Sequence, residues 1–489
     1  MKRHVFFSFQ ILVTCFSFSL VLAGCTVNPA TGDRQFTAFM SPDQEVRIGA
    51  AEHEKIMQLF GGSVKDQQVV NYVESIGKDS VPYTERPEVD SKFYVLDSPV
   101  VNAFALPGGY VYVSRGLVGL ANTEAQLASV VGHEIGHITG RHSAERYSQS
   151  ILASLGTSVL GAAVDTPGAT DLARLGSQLY LSSYSREQEN QADDLGIRYI
   201  ARAGYDPLAA SRFLTSLKRQ ADLTAKMKGK EGQGGFGFFA THPKTENRVQ
   251  DASNIALATQ ASARRVNRDK HLNVIDGMIY GNSPEQGFAV GDRFVHPKLG
   301  ITFTVPEDFE FINNPAEVLA VSENDGIIIF DGAPNSGDVD THTYLTRIWM
   351  GDETLQNVET IDINGKEAVT ASFRGTVRGK SSNIRVVAIR WSQKRFYRFI
   401  MAIPQAASED VLQGYKRTTY SFRELTAQDK RDYQPRRIKV ITAQPDDTVN
   451  ALAARQAFED FSEDWFRVLN GMEPQEDLKT GERYKLVIR

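Results

Sequence analysis

The chain has 489 residues, enough for two to four domains with substantial cores. Its hydrophobic content of 41% and charged content of 23% are those of an ordinary globular protein, and a net charge of −5 without any long basic run excludes a basic nucleic-acid binder. Cys15 and Cys25 are its only two cysteines, so the rest of the chain can form neither a disulfide nor a cysteine-type metal site, and any metal must be held by histidines and carboxylates.

The N-terminus opens with Lys2 and Arg3, followed by an apolar and Ser/Thr run from Val5 to Val21. A charged start, a short apolar core and small residues ahead of a cut site describe a secretory signal, and the run is marginal for a stable membrane span. Leu22 to Cys25 resembles a bacterial lipobox. That resemblance implies cleavage before Cys25 and its lipidation, against the alternatives of a plain signal peptide or a membrane-spanning anchor. Thr26, where an Asp would imply inner-membrane retention, favours the outer membrane facing the periplasm.

Asn28 to Phe39 reads as a tether. Ser41, Pro42 and Gln44 form a capping box that starts a helix running to about Leu59, and a second short helix fits Gln67 to Ile76. His53 reads as a surface histidine. Lys92 to Leu96 is strand-like. Asn102, Ala103 and Phe104 lead through Pro107, Gly108 and Gly109 to a strand from Tyr110 to Val113. Two readings stand for this stretch: a hairpin beside the core, or an edge strand to which an extended peptide adds through its main chain.

Thr123 can cap the next helix, which carries His133, Glu134 and His137 in the pattern HExxH. Positions four apart share a helix face, so the two imidazoles can reach one metal ion, with Glu134 placed to take a proton from a metal-bound water. A third histidine in the HExxHxxGxxH pattern would stand at 143. That position is Ser143, and His142 is one short, so His142 reads as a structural or supporting histidine rather than a ligand. Ile151 to Leu181 suggests a helical segment partly covering the site. Farther on, Arg186, Glu189 and Asp193 fall on one helical face. Glu189 can reach the metal, and Asp193 can orient a ligand imidazole.

HExxH, an ExxxD helix some fifty residues later, the Asn102 to Gly109 stretch before it, and His242-Pro243 with Arg248 beyond resemble the zinc metallopeptidase family of HtpX, BepA and the CAAX prenyl proteases. The resemblance covers about residues 41–265. It departs where the family often has Glu two before its Asp and this chain has Gln191. It implies one zinc ion held by His133, His137 and Glu189, with Glu134, His242 and Arg248 catalytic and Asp193 supporting a ligand. Asn102, Ala103, Phe104, Gly108 and Gly109 would bind substrate. His242, at the start of a helix to about Ala258, would stabilise the oxyanion with support from Arg248, or cap the zinc in a latent state. The glycine-rich stretch from Lys228 to Phe239 allows either.

Beyond this lie a linker and short strand at 266–285, then strand-like runs at 326–330, 367–373, 384–389 and 396–400 with a helical pattern near 408–415. This region suggests an α/β sandwich at 286–435 with a faint resemblance to PsbP-type domains. His271, His296 and His342 show no ligand spacing. Residues 436–489 read as strand, helix, helix, strand. They are similar to a LysM module, with Asp446-Asp447-Thr448 where such modules usually have Gly-Asp-Thr, so either peptidoglycan binding or a docking role is open. The expected fold is a mainly α-helical zincin-type domain at 41–265 with a small β-sheet, preceded by a signal peptide at 1–24 and a lipidated tether at 25–40, and followed by the sandwich and the βααβ module. The expected function is a zinc endopeptidase of the bacterial envelope acting on polypeptides. The alternative is a latent or non-catalytic wall-tethered chaperone or scaffold.

Overall fold

The structure is a computed structural model describing residues 25–160, 183–227, 237–243, 247–259, 261, 264–322, 324–377, 379–404, 407–458 and 460–489. The signal peptide at 1–24, most of the expected segment over the site at 151–181 and the glycine-rich stretch at 228–236 lie outside the described residues. The chain divides into two compact units. The first comprises residues 1–58, 62–278 and 437–488, and the second is formed chiefly by 279–436.

The first unit opens with a hairpin of β1 (Cys25–Val27) and β2 (Arg34–Phe36). The expectation of a loose tether at 25–40 is corrected here. Asn28 is buried and its Nδ2 donates to Gly140 O at 3.1 Å, while Phe39 N donates to Ser148 Oγ at 3.2 Å. The Asn28 side chain satisfies a carbonyl at the end of one distant helix, and the Ser148 hydroxyl of another satisfies the Phe39 N–H, which pins the segment. The capping box forms as read: Ser41 N donates to Gln44 Oε1, and Gln44 N to Ser41 Oγ. It starts α1 (Pro42–Leu59), and α2 (Gln67–Ser80) follows. His53 is half-buried rather than free at the surface, because it bonds Tyr112 Oη through Nδ1 and stacks on Tyr94 and Tyr110.

A three-stranded sheet comes next: β3 (Lys92–Leu96), β4 (Ala103–Leu106) and β5 (Tyr110–Ser114), in the order β3-β5-β4. β4 and β5 form the hairpin of the first reading, and β4 lies at the edge of the sheet. Short α3 (Arg115–Leu120) leads to α4 (Glu124–Thr139), capped by Thr123 Oγ1 accepting from Gln126 N. All 16 residues of α4 are buried, as a central helix requires. Then come α5 (His142–Leu160), α6 (Arg186–Arg202), α7 (Ala209–Met227), a helical turn at Phe238–Thr241, and α8 (Arg248–Ala258). The helix expected to begin at Pro243 is described only from Arg248. Residues 268–275, expected within a linker, form α9 (Arg268–Ile275), because His271, Leu272 and Ile275 share one buried face. His271 Nδ1 meets Tyr72 Oη at 3.0 Å and its Nε2 meets Ala121 O at 2.9 Å. Burial pushes this imidazole down to about 3, so it is a neutral core histidine.

The second unit is β-rich. Strands β6 (Phe288–Val290), β7 (Arg293–His296), β8 (Ile301–Thr304) and the late Arg423–Glu424 make a four-stranded sheet. A larger sheet contains β9 (Phe309–Asn313), β10 (Glu317–Ser322), β11 (Ile327–Pro334), β12 (Gln356–Ile363), β13 (Lys366–Val377), β14 (Lys380–Ser392) and β15 (Arg395–Pro404). Its order is β12-β13-β14-β15-β11-β10-β9. One core of this unit gathers Phe294, Phe303, Phe330, Phe399, Tyr415 and Phe422, with Tyr415 supplied by α10 (Glu409–Ser421).

The last residues return to the first unit as the expected strand-helix-helix-strand. Antiparallel strands at Arg437–Thr442 and Arg483–Ile488 flank α11 (Val449–Ala453) and α12 (Ser462–Asn470). Ile438 exchanges backbone bonds with Gly277 and Met278 at 2.8 Å each. Lys485 is fully buried, and its Nζ donates to Gly119 O, Leu120 O and Ala121 O at 2.9, 3.1 and 2.8 Å, capping the carbonyl end of α3.

Candidate metal centre

The site begins with the crossing of α4 and α6. A Cβ on Gly136 would lie 2.9 Å from Ala192 O, and one on Gly196 would lie 2.6 Å from His133 N. Glycine at these positions lets the two backbones approach closely, so the first turn of α6 faces His133 and His137. Ser185 and Gln188 form a capping box that fixes where α6 starts. Glu189 therefore sits in the first turn, where the helix dipole favours a carboxylate.

His133, His137, Glu189 and His242 are all buried and offer ligand atoms within 4.8 Å of one another. The Nε2 atoms of His133 and His137 lie 3.0 Å apart, and His242 Nδ1 lies 2.9 Å from Glu189 Oε1. The outward nitrogens are engaged: His133 Nδ1 meets Asp193 Oδ1 at 2.8 Å, and His137 Nδ1 meets His142 Nδ1 at 2.9 Å. Each ring is thereby held with Nε2 pointing inward. This nitrogen and oxygen set, without sulfur, suits a divalent metal ion. Beside it, both carboxylate oxygens of Glu134 are buried and have no hydrogen-bond partner.

Charge follows the same plan. Burial raises the Glu134 pKa, opposed by His242 and His133. Burial also pushes Glu189 up, but His242, Arg248 and His137 outweigh it and hold that carboxyl well below its ordinary range. Asp193 is likewise raised by burial and lowered further by Arg248 and His133. Burial lowers His137, which keeps the imidazole neutral as a ligand must be.

The three residues of the expected metal set thus meet, together with His242. His142 stands behind His137 and bonds Gln191 Oε1 through Nε2 at 3.1 Å. Both its ring nitrogens are thus engaged outside the four-donor cluster, as the reading of a supporting histidine expects. Arg248, expected near the oxyanion, is instead committed to two acids. Its Nε and Nη2 meet Asp193 at 2.7 and 2.9 Å, and its Nη1 lies 2.8 Å from Glu189 Oε2. That makes it a positioning residue in this structure.

The expected substrate-binding stretch separates. Ala103 O lies 3.2 Å from His242 Nε2, and Asn102 Oδ1 accepts from Thr241 Oγ1 at 3.2 Å. Phe104 stacks on Tyr112 at 4.9 Å. Gly108 and Gly109 have φ of 78° and 93°, and a Cβ on either would meet Val46 Cα or Asp90 O within 2.7 Å, so the turn itself requires glycine. Gly108 also lines a cleft of 340 Å³ with Leu106, His137 and Arg141. Two covering residues escaped the sequence reading: Tyr184 stacks on His137 with centroids 3.8 Å apart, and Phe238 stacks on His242 at 4.4 Å. Tyr184 N donates to Thr241 O, and Phe238 N to Val101 O. No spacing rule marks such residues; only their position a few places before Glu189 and His242 hinted at them.

An Asp193→Asn chain should fold and bind its metal about 10- to 100-fold more weakly, as loss of a group orienting a ligand imidazole does. Competition with a chelator of known affinity measures this, and unchanged affinity would remove Asp193 from the site.

Residues 67–256 match the model of Peptidase family M48. The chain is 29% identical over 244 residues to the "Beta-barrel assembly-enhancing protease" of Escherichia coli (strain K12), covering 48% of this chain and 48% of that protein. It is 29% identical over 226 residues to the "Mitochondrial metalloendopeptidase OMA1" of Schizosaccharomyces pombe, covering 45% and 64%. The chain thus spans about half the length of the first of these relatives. Among solved structures, cyanobacterial PsbP (CyanoP) from Synechocystis sp. PCC 6803 overlaps 28% of this chain and 94% of its own, with 14% identity and a TM-score of 0.22, too slight to establish a shared fold. The stretch that matches Peptidase family M48, residues 67–256, contains the four buried donors and Glu134.

Proposed function

We propose that this protein is a zinc-dependent endopeptidase that hydrolyses polypeptides in the bacterial envelope. The observation carrying this reading is Glu134, a buried carboxylate without a hydrogen-bond partner, its Oε1 3.4 Å from His242 Nε2, beside a four-donor cluster. His133, His137 and Glu189 would hold the zinc, which when bound supplies Lewis acidity and a water of lowered pKa. Glu134 takes the proton from the attacking water and passes it to the leaving amine. His242 is the proposed donor to the oxyanion, and Arg248 positions Glu189 and Asp193. Edge strand β4, which Asn102 precedes and Ala103 opens, is the proposed surface along which an extended substrate lies.

Lipidation of Cys25 and an outer-membrane, periplasm-facing location rest on the lipobox resemblance. Among the described residues no helix is long and apolar enough to cross a membrane. Misfolded or outer-membrane proteins are the proposed substrates, by analogy with the printed name of the Escherichia coli relative. Peptidoglycan binding by residues 436–489 rests on the LysM-like sequence order. A latent protein or scaffold is the second reading. It is favoured by the complete burial of Glu134, Glu189 and His242 beneath Tyr184 and Phe238.

Casein degradation with and without a chelator separates the readings. The enzyme degrades casein, loses at least 90% of that activity on chelation by the metal requirement, and recovers it with added zinc. A metal-loaded, folded chain that leaves casein and unfolded outer-membrane protein intact would favour the scaffold.

A further inference from the structure

The second unit contains a cleft of 370 Å³ between its larger sheet and α10. Its lining includes Glu359, Ile361, Arg385, Lys416 and Tyr420. Arg385 is half-buried there. Its Nε donates to Thr370 Oγ1 at 3.0 Å and its Nη1 to Thr419 Oγ1 at 3.1 Å, and both threonines are buried. Two neutral hydroxyls thus hold the guanidinium plane in place without neutralising it. Among the described residues neither Arg385 nor Lys416 forms an ion pair, and Arg385 Nη2 has no hydrogen-bond partner. Burial lowers the Arg385 pKa, opposed by Tyr420 and Glu359. A partly desolvated, oriented cation that has no ion-pair partner, only the field of Glu359 nearby, gains from an anion that reaches it.

We propose that this cleft binds the free carboxylate at the C-terminus of a polypeptide. The guanidinium fork matches a carboxylate edge in two parallel hydrogen bonds. Lys416, exposed at the rim, adds a second cation, and Glu359 on the same wall leaves a local sum of about +1. That balance suits a monoanion with an amide N–H beside it, which Glu359 can accept, and disfavours a phosphate dianion. Ile361 supplies an apolar wall for the terminal side chain. The site lies wholly in the second unit and does not rest on the peptidase reading.

The test is fluorescence anisotropy of the full chain with a labelled heptapeptide ending in leucine, as the free acid and as the C-terminal amide, with peptide integrity checked by mass. The free acid binds saturably, the amide at least tenfold more weakly, and Arg385→Gln brings the acid down to the amide's level. Lys416→Glu, at an exposed position where folding is safe, weakens the acid several-fold. Equal binding of acid and amide, no saturable binding of the acid, or unchanged binding in both variants overturns the proposal. So does displacement of the acid by inorganic phosphate at lower concentration than by acetate.

Discussion

A Glu134→Gln chain keeps its metal and loses about 10³-fold in kcat/KM on a peptide substrate. The substitution preserves shape, and Glu134 lies outside the His133, His137 and Glu189 donor set, so metal binding survives. The amide cannot take a proton. In the native chain the Glu134 carboxylate is fully buried without a hydrogen-bond partner, and burial raises its pKa against the opposing charge of His242 and His133, the direction a general base requires. Glu189→Gln provides the contrast: it removes a ligand carboxylate and loses metal and activity together. Steady-state kinetics on a quenched peptide, paired with elemental analysis, distinguish the two. Near-native kcat/KM in the zinc-loaded Glu134→Gln chain would end the proposed mechanism.

The largest stability effect is expected far from that site. Lys485→Met keeps the length of the side chain but removes a donor from three carbonyls at the end of α3; Ala121 O keeps His271 Nε2 and Leu120 O keeps Asn122 Nδ2, so the loss falls mainly on Gly119 O. Burial pushes the Lys485 amine well below its usual range, and Arg268 pushes the same way. The three carbonyls at the negative end of a helix favour the ammonium against that pressure. An unpaired buried carbonyl costs about 1–3 kcal/mol, and the other two keep a second donor, so about 1–3 kcal/mol is expected. That corresponds to a fall in Tm of roughly 2–6 °C for the first unit. Thermal unfolding followed by circular dichroism measures it, and an unchanged midpoint would mean that the C-terminal segment contributes nothing to holding α3. Because Asn470 Nδ2 donates to Lys485 O and Asn470 Oδ1 accepts from Lys485 N, the effect should spread to α12.

Helix starts were the most legible features. Ser41 and Thr123 each cap a helix through a local hydrogen bond, which a few consecutive residues determine. Strand cores from 366 to 404 were equally visible, since a long sheet buries runs of β-branched and aromatic side chains. The stretch at 25–40 was not legible as an ordered hairpin, because Asn28 and Phe39 find partners at Gly140 and Ser148, more than a hundred positions away. Nor was α9, whose short buried face resembles a linker until Tyr72 and Ala121 are placed around His271.

Within the site, sequence alone determined which donors could exist: two imidazoles at helical spacing, a base between them and a carboxylate on a second helix. The histidine pair and Glu134 follow from 3.6-residue periodicity and the absence of any usable thiol, whereas Glu189 was singled out by the family resemblance of its ExxxD helix. Only the tertiary structure decided what surrounds them. Arg248 went to Asp193 and Glu189 rather than toward an oxyanion, and Tyr184 and Phe238 came to cover the histidines. The physical reason is range. Periodicity and capping act within one or two turns, whereas a buried guanidinium pairs with whichever carboxylates the packing of α4, α6 and α8 brings within reach.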